Sequence, residues 1–311
     1  MLKHRHKIML VGDGAVGSSF AFSLLQTTQE VDELVIVDLK KEKAIGESLD
    51  LQDITPLTGP VDIHAGDYVD AKDADVVVIT AGVPRKQGET RLDLVNKNAR
   101  ILSTIVTPIV ENGFSGIFVV SSNPVDILTT LTQRLSGFPK HRVIGTGTSL
   151  DTARLNVLLS QKLNVPVNEI DAWVLGEHGD TSFAAFDEAT VNGQPLKAVA
   201  GLNDKDYADL EETVRKRGGN IIAGKGATFY GISKYLAYIV KAIIENHNVV
   251  LPVSAPLTGQ YGINNLYLGI PAIINWTGTE TTVNFTLSPN EQKKLQLSAA
   301  KMKEILASVK I

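Results

Sequence analysis

Short apolar runs alternate with longer amphipathic stretches through the first half of the chain. Residues 8–11, 34–37, 76–79, 117–120 and 143–144 are unbroken apolar segments, each followed by a small or polar residue. Runs without in-out alternation predict strands buried on both faces, as in a parallel sheet. Between them, 15–25 and 92–111 carry helical periodicity. Strand–helix alternation predicts a doubly wound α/β sheet. The pattern changes after about residue 145. A helix from 150 to about 162 precedes a strand-like stretch at 172–175, and Asn192-Gly193 predicts a hairpin turn. Residues 204–245 are mostly helical, with a break expected at Gly218-Gly219. The turn-rich stretch 259–278 predicts antiparallel β-structure. Ser288, Pro289 and Glu291 predict the start of a last helix, through a capping box.

Length fits this division. A chain of 311 residues exceeds what one core usually supports, so two packed domains are expected, 1–145 and 146–311. The second is expected to be α+β. The net charge of −4 points to neither nucleic acid nor an anionic membrane as partner. The absence of cysteine excludes disulfides, thiolate metal sites and a cysteine nucleophile. No metal site is expected. The apolar run at 8–11 is too short for a signal sequence or a membrane span, so a cytoplasmic protein is expected.

Gly12-Asp13-Gly14-Ala15-Val16-Gly17 lies between the first predicted strand and the first predicted helix. In that context its glycines allow a tight turn, close approach of a pyrophosphate, and helix–strand packing. The helix N-terminus supplies N–H donors to phosphates. Asp38 follows 21 residues after Gly17, where a carboxylate accepts ribose hydroxyls and repels a 2′-phosphate. The expected cofactor is therefore NAD, not NADP. Thr80, Ala81 and Gly82 close the strand at 76–79 with small residues, where backbone can pass near the dinucleotide.

Of six histidines, His4, His6 and His141 sit among Lys and Arg, and His64 and His247 in polar surroundings; all five are expected at the surface. His178 differs, lying in Gly176-Glu177-His178-Gly179-Asp180 after an apolar run. Hydride chemistry on a hydroxyl needs a proton acceptor tuned near neutrality, which suits it. Asp151 and Arg154 stand three apart on a predicted helix and so share a face. Alone, such a pair is more often a surface ion pair. Arg85 and Arg91 flank Gly88 in a polar segment suited to a lid carrying positive charge over an anionic substrate.

Six stretches together carry a resemblance: VGDGAVGS, TAGVPRKQGETRLDLVNKN, SSNPVD, GTGTSLDTAR, LGEHGD and KGATFYGI. On these the chain resembles the L-lactate/malate dehydrogenases end to end, and most of all the bacterial L-lactate dehydrogenases. The resemblance implies that His178 is the acid/base and that Asp151 holds its imidazole. It implies that Arg154 grips the substrate carboxylate and that Arg91 polarises the carbonyl. It places Asn123, before a cis Pro124, near substrate and nicotinamide, and Thr228 and Ile232 along the pocket. It also implies a homo-oligomer, tetramer or dimer.

Three departures bear on substrate and regulation. Arg85 stands where the bacterial lactate enzymes usually have Gln and malate enzymes have Arg. A guanidinium there would pair with the second carboxylate of oxaloacetate, and would lie unpaired against the methyl of pyruvate, a mismatch of a few kcal/mol. This predicts strong activity on oxaloacetate and L-malate; the alternative is an ordinary pyruvate/L-lactate enzyme. Glu89, which could partly neutralise Arg85, and Thr228, which is lactate-like, favour the alternative. Gln87 replaces the usual loop proline. Finally, Asn156 and Asp171 occupy the positions of the Arg and His found in fructose-bisphosphate-activated relatives, so no activation by fructose 1,6-bisphosphate is expected. Two readings compete from outside the family. A short-chain dehydrogenase needs Tyr-x-x-x-Lys, for which Tyr68…Lys72 and Tyr230…Lys234 are misplaced. A non-catalytic NAD sensor would need no His178, Asp151, Arg154 and Arg91 together.

Overall fold

The computed structural model describes residues 6–84, 88–282 and 285–310. All five predicted apolar runs are strands. The chain order opens β1 (His6–Val11), α1 (Ala15–Thr27), β2 (Val31–Val37), α2 (Lys41–Gln52), α3 (Thr55–Thr58), β3 (Asp62–Ala65), β4 (Val76–Ile79). It continues through α4 (Arg91–Glu111), β5 (Ile117–Val120), α5 (Val125–Ser136) and β6 (Val143–Gly145). These strands lie parallel in the order β3-β2-β1-β4-β5-β6. Every residue of β4 and β5 is buried, as runs without alternation require. The order reverses between β1 and β4, so the loops after these two strands diverge and leave a crevice at their carboxyl ends.

The second half begins with α6 (Ser149–Leu163), β7 (Ile170–Asp171), β8 (Val174–Leu175), β9 (Phe183–Ala184), β10 (Thr190–Val191) and β11 (Gln194–Pro195). Asn192 and Gly193 form the β10–β11 turn, both at positive φ, as the dipeptide predicts. Then come α7 (Leu196–Val199), α8 (Asp204–Lys225), α9 (Tyr230–Ile244), β12 (Val249–Thr258), β13 (Asn264–Asn275), β14 (Gly278–Thr282) and α10 (Pro289–Ser308). Ser288 caps α10 in a capping box with Glu291, as expected.

Two expectations need correction. Helix α8 runs unbroken through Gly218-Gly219. A glycine pair weakens a helix by only about 1 kcal/mol per residue, which packing overrides. Antiparallel structure starts at Val249, before the predicted stretch, and 259–263 is the turn between β12 and β13. The stretch 249–258 carries Pro252 and Pro256, which bar any continuation of α9. Strand β12 pairs antiparallel with β6, so among the described residues one nine-stranded sheet joins both halves. A smaller core, including Leu155, Leu159, Val174, Phe186, Leu196 and Val214, packs beneath α6 and α8.

Candidate active site

Gly12 leaves β1 at φ 99°, a backbone conformation that side chains disfavour, and a β-carbon there would lie 2.5 Å from the backbone of Ala81. At Gly17 a β-carbon would lie 2.1 Å from the carbonyl oxygen of Gly12. The glycines thus let α1 begin tight against the β1 and β4 loops. Thr80 Oγ1 donates to the Gly12 carbonyl at 2.5 Å, and Ser122 Oγ to the Ala81 carbonyl at 2.6 Å, locking these loops together. The Ser233 hydroxyl on α9 donates to the carbonyl of Val16. No side chain caps α1, its first turn holds no acid, and the space over Gly14 is open. These are the requirements for a phosphate at a helix N-terminus. Asp38 follows β2, and its two carboxylate oxygens accept the N–H groups of Asp13 (2.7 Å) and Lys40 (2.9 Å). It is held beside the glycine loop with lone pairs left for ribose hydroxyls. The residues present fit NAD.

Across the crevice, Gly176 bridges β8 to β13 through paired backbone hydrogen bonds with Gly269, each 2.9 Å. That anchors the loop carrying His178. Its Nδ1 meets Asp151 Oδ2 at 2.5 Å, and the other oxygen of Asp151 accepts from Arg154 Nη1 at 3.0 Å. The side chains of Asp151 and Arg154 are 7% and 10% exposed, while that of His178 is 27% exposed. A carboxylate on the first turn of α6 therefore holds the imidazole on one side and the guanidinium on the other. The Asp151 charge is the main force on the imidazole and outweighs burial, raising its pKa to about 9. Burial pushes the Asp151 carboxyl up, but the His178 and Arg154 cations together hold it below the usual range. The Asp151 contact favours an imidazolium with Nδ1–H toward that carboxylate, which leaves Nε2 available for proton transfer.

The Asn123–Pro124 bond is cis, as the resemblance implies. Asn123 is exposed at the sheet's carboxyl edge, with its carbonyl held by Asn98 Nδ2 at 2.8 Å. Thr228 and Ile232 are half-buried at the joint between α8 and α9. Helix α4 begins at Arg91 behind a Thr90–Asp93 capping box, but the Arg91 side chain falls outside what the structure describes. Arg85, Lys86 and Gln87 also lie outside the described residues. Glu89 faces Lys97, at 3.4 Å. Of the other histidines, His4 lies outside the described residues, and His141 and His247 are exposed as expected. The side chain of His6 is only 17% exposed, beside Asp75, and His64 meets Glu33.

Three supporting residues carried no functional signal of their own in the sequence. Asn98 sits on α4 within the quoted TAGVPRKQGETRLDLVNKN stretch and also binds Val83 through both N–H and C=O. Ser298 on α10 accepts the N–H of Glu177 at 2.8 Å, steadying the His178 loop. Gly218 on α8 faces the guanidinium of Arg154.

The chain matches two family models end to end. Residues 6–145 match the lactate/malate dehydrogenase NAD binding domain, and 148–310 the lactate/malate dehydrogenase alpha/beta C-terminal domain. The chain belongs to the lactate/malate dehydrogenase family. It is 60% identical over 306 residues to L-lactate dehydrogenase 2 of Lactobacillus acidophilus, covering 98% of this chain and 99% of that protein. It is 59% identical over 304 residues to L-lactate dehydrogenase of Lactobacillus delbrueckii subsp. bulgaricus, covering 97% and 99%. A crystal structure of the minor L-lactate dehydrogenase from Enterococcus mundtii superposes with a TM-score of 0.95 at 41% identity, covering 99% of each chain. This lactate/malate dehydrogenase family member is an NAD-dependent enzyme of the lactate dehydrogenase type. Family membership removes the short-chain dehydrogenase and sensor readings. Among the described residues no helix is long and apolar enough to cross a membrane, and no group of three His, Asp or Glu side chains could hold a metal ion.

Proposed function

We propose that the enzyme interconverts pyruvate and L-lactate in the cytoplasm, as a homo-oligomer. One observation carries the chemistry: a single buried carboxylate, Asp151, holds both His178 and Arg154. NAD, when bound, supplies or accepts the hydride. His178 donates a proton from Nε2 to the carbonyl oxygen on reduction and takes it back on oxidation. Arg154 spends one N–H on Asp151 and keeps others for the substrate carboxylate. Arg91 stabilises charge developing on the carbonyl oxygen. Asn123 orients substrate beside the cofactor, and Thr228 lines the pocket. The 2-oxo acid substrate is supported by the names of relatives at 58–60% identity, all L-lactate dehydrogenases. The homo-oligomer is supported by Phe22, Leu49, Leu57 and Tyr230, large apolar residues exposed on α1, α2, α3 and α9. The division into domains at 145/146 follows the change from parallel to antiparallel pairing after β6.

Arg85 favours a second reading, in which oxaloacetate is also reduced well. The test compares kcat/KM for pyruvate, oxaloacetate and a branched 2-oxo acid in the natural chain and in Arg85→Gln. The pyruvate reading expects pyruvate to lead in both. A lead for oxaloacetate that collapses in Arg85→Gln overturns it in favour of the second reading. Near-full turnover in His178→Asn with NADH still bound would refute the assignment of the acid/base.

A further inference from the structure

His178 is held by two carboxylates, and only one of them is Asp151. The second is Asp126, on the first turn of α5, three residues after Asn123. It is 1% exposed. Its Oδ2 accepts the backbone N–H of His178 at 2.8 Å, and its Oδ1 accepts the hydroxyl of Ser254 on β12. One rigid side chain thus ties the turn presenting Asn123, the sheet strand β12, and the loop presenting His178. Each of its oxygens accepts one of these two hydrogen bonds.

We infer that Asp126 is a positioning residue for the proposed reaction: it fixes the His178 main chain and supplies a second negative charge that keeps the imidazole protonated for reduction. The inference rests on His178 being the acid/base. Among the described residues, other charged groups bear on the pair or on one of its members. From α6, Asp151 favours the imidazolium and Arg154 opposes it; from α5, Asp126 favours it. Glu177, beside His178 in its loop, accepts the Thr181 hydroxyl and pushes the Asp126 carboxyl up. Burial is the larger cause and raises Asp126 to about 6, against donation from Ser254 and the His178 N–H. Asp126 is therefore ionised throughout the range in which His178, raised to about 9, gives up its proton.

The test is Asp126→Asn, which is nearly isosteric. An amide oxygen still accepts the His178 N–H, and the Ser254 hydroxyl can turn to accept from the amide. The charge alone is removed. The readout is the pH profile of kcat/KM for pyruvate reduction, with NADH affinity followed by fluorescence. The basic limb is expected to move down by about one pH unit, the low end of what an opposite charge at short range does to a pKa. At the alkaline end kcat/KM then falls about tenfold further than at pH 6, with NADH affinity unchanged. Asp126→Glu, which restores the charge, is expected to bring the limb back. Should the amide not fold, Asp126→Ser removes the charge and keeps an acceptor. A limb that stays in place, or an equal loss at every pH, overturns the inference and leaves the role of His178 intact. A His178→Asn variant that still turns over overturns both.

Discussion

The guanidinium of Arg154 lies against Gly218: a β-carbon at 218 would stand 3.5 Å from one terminal nitrogen and 3.7 Å from the other. Those are ordinary contacts, so alanine fits. Branched side chains reach further and displace the group assigned to the substrate carboxylate. Gly218→Ala is expected to keep turnover and to stabilise the α8 interior by about 0.5–1 kcal/mol. Gly218→Val is expected to raise KM for pyruvate about tenfold or more while NADH binding is unchanged, the cost of a weakened charged hydrogen bond of about 1.5–3 kcal/mol. Steady-state kinetics and thermal melts distinguish the two; an unchanged KM in Gly218→Val counts against the assigned role of Arg154.

The Asp151–His178 contact predicts a pH dependence with a definite sign. In the proposed mechanism reduction needs the imidazolium, so its kcat/KM should hold below about 9 and fall above it; lactate oxidation should rise through the same value. Asp151→Asn should move that limb toward or below about 6.5, the ordinary histidine value, and slow reduction at pH 8 by about 10²–10⁴-fold. The same shift stabilises the fold fully below about pH 6.5, and that contribution fades as pH rises through about 9. Paired pH–rate profiles of the natural chain and Asp151→Asn decide the matter; coincident limbs would contradict it.

Asp38 is proposed to select NAD over NADP. Its carboxylate is held by two backbone N–H groups at 2.7 and 2.9 Å, so it cannot turn away from a 2′-phosphate. Asp38→Ser is expected to weaken NADH binding about tenfold, through loss of charged hydrogen bonds of about 1.5–3 kcal/mol, and to bring NADPH use within measurable range. Titrating both cofactors by fluorescence checks this, and an unaltered NADH/NADPH ratio would refute it.

Fructose 1,6-bisphosphate is expected to leave the half-saturating pyruvate concentration unchanged. Asp171 ends β7 as an exposed carboxylate that repels a phosphate, and Asn156 on α6 has no charge to attract one. A fall of threefold or more at millimolar effector would show that other cations form the site.

Much of the fold was legible because a strand buried on both faces must be apolar at every position, and a glycine turn must follow it where a nucleotide is to sit. The runs at 76–79 and 117–120 became β4 and β5 on that rule. The α8 break failed because local propensity at Gly218-Gly219 is small beside the packing of a 22-residue helix. Strand β12 is hidden in the sequence because Pro252 and Pro256 interrupt its apolar run, and proline weakens a strand reading.

In the sequence His178 and Asp38 stand out as candidates by the chemistry their surroundings suit, and Asp151 and Arg154 through the family resemblance. The sequence by itself determined the α/β order, the nucleotide loop and the family. Only the tertiary structure decided that Asp151 holds two cations at once, that Asp126, bonded to Ser254 on β12, reaches the His178 loop from α5, and that Gly218 makes room for Arg154. Apart from Asp151 and Arg154, which helix spacing already links, these partners stand 27 to 128 positions apart, Gly218 lying 64 from Arg154. No spacing rule links such positions, since helix and strand periodicities act over a few residues, and the longer contacts exist only once the sheet has brought its strand ends together.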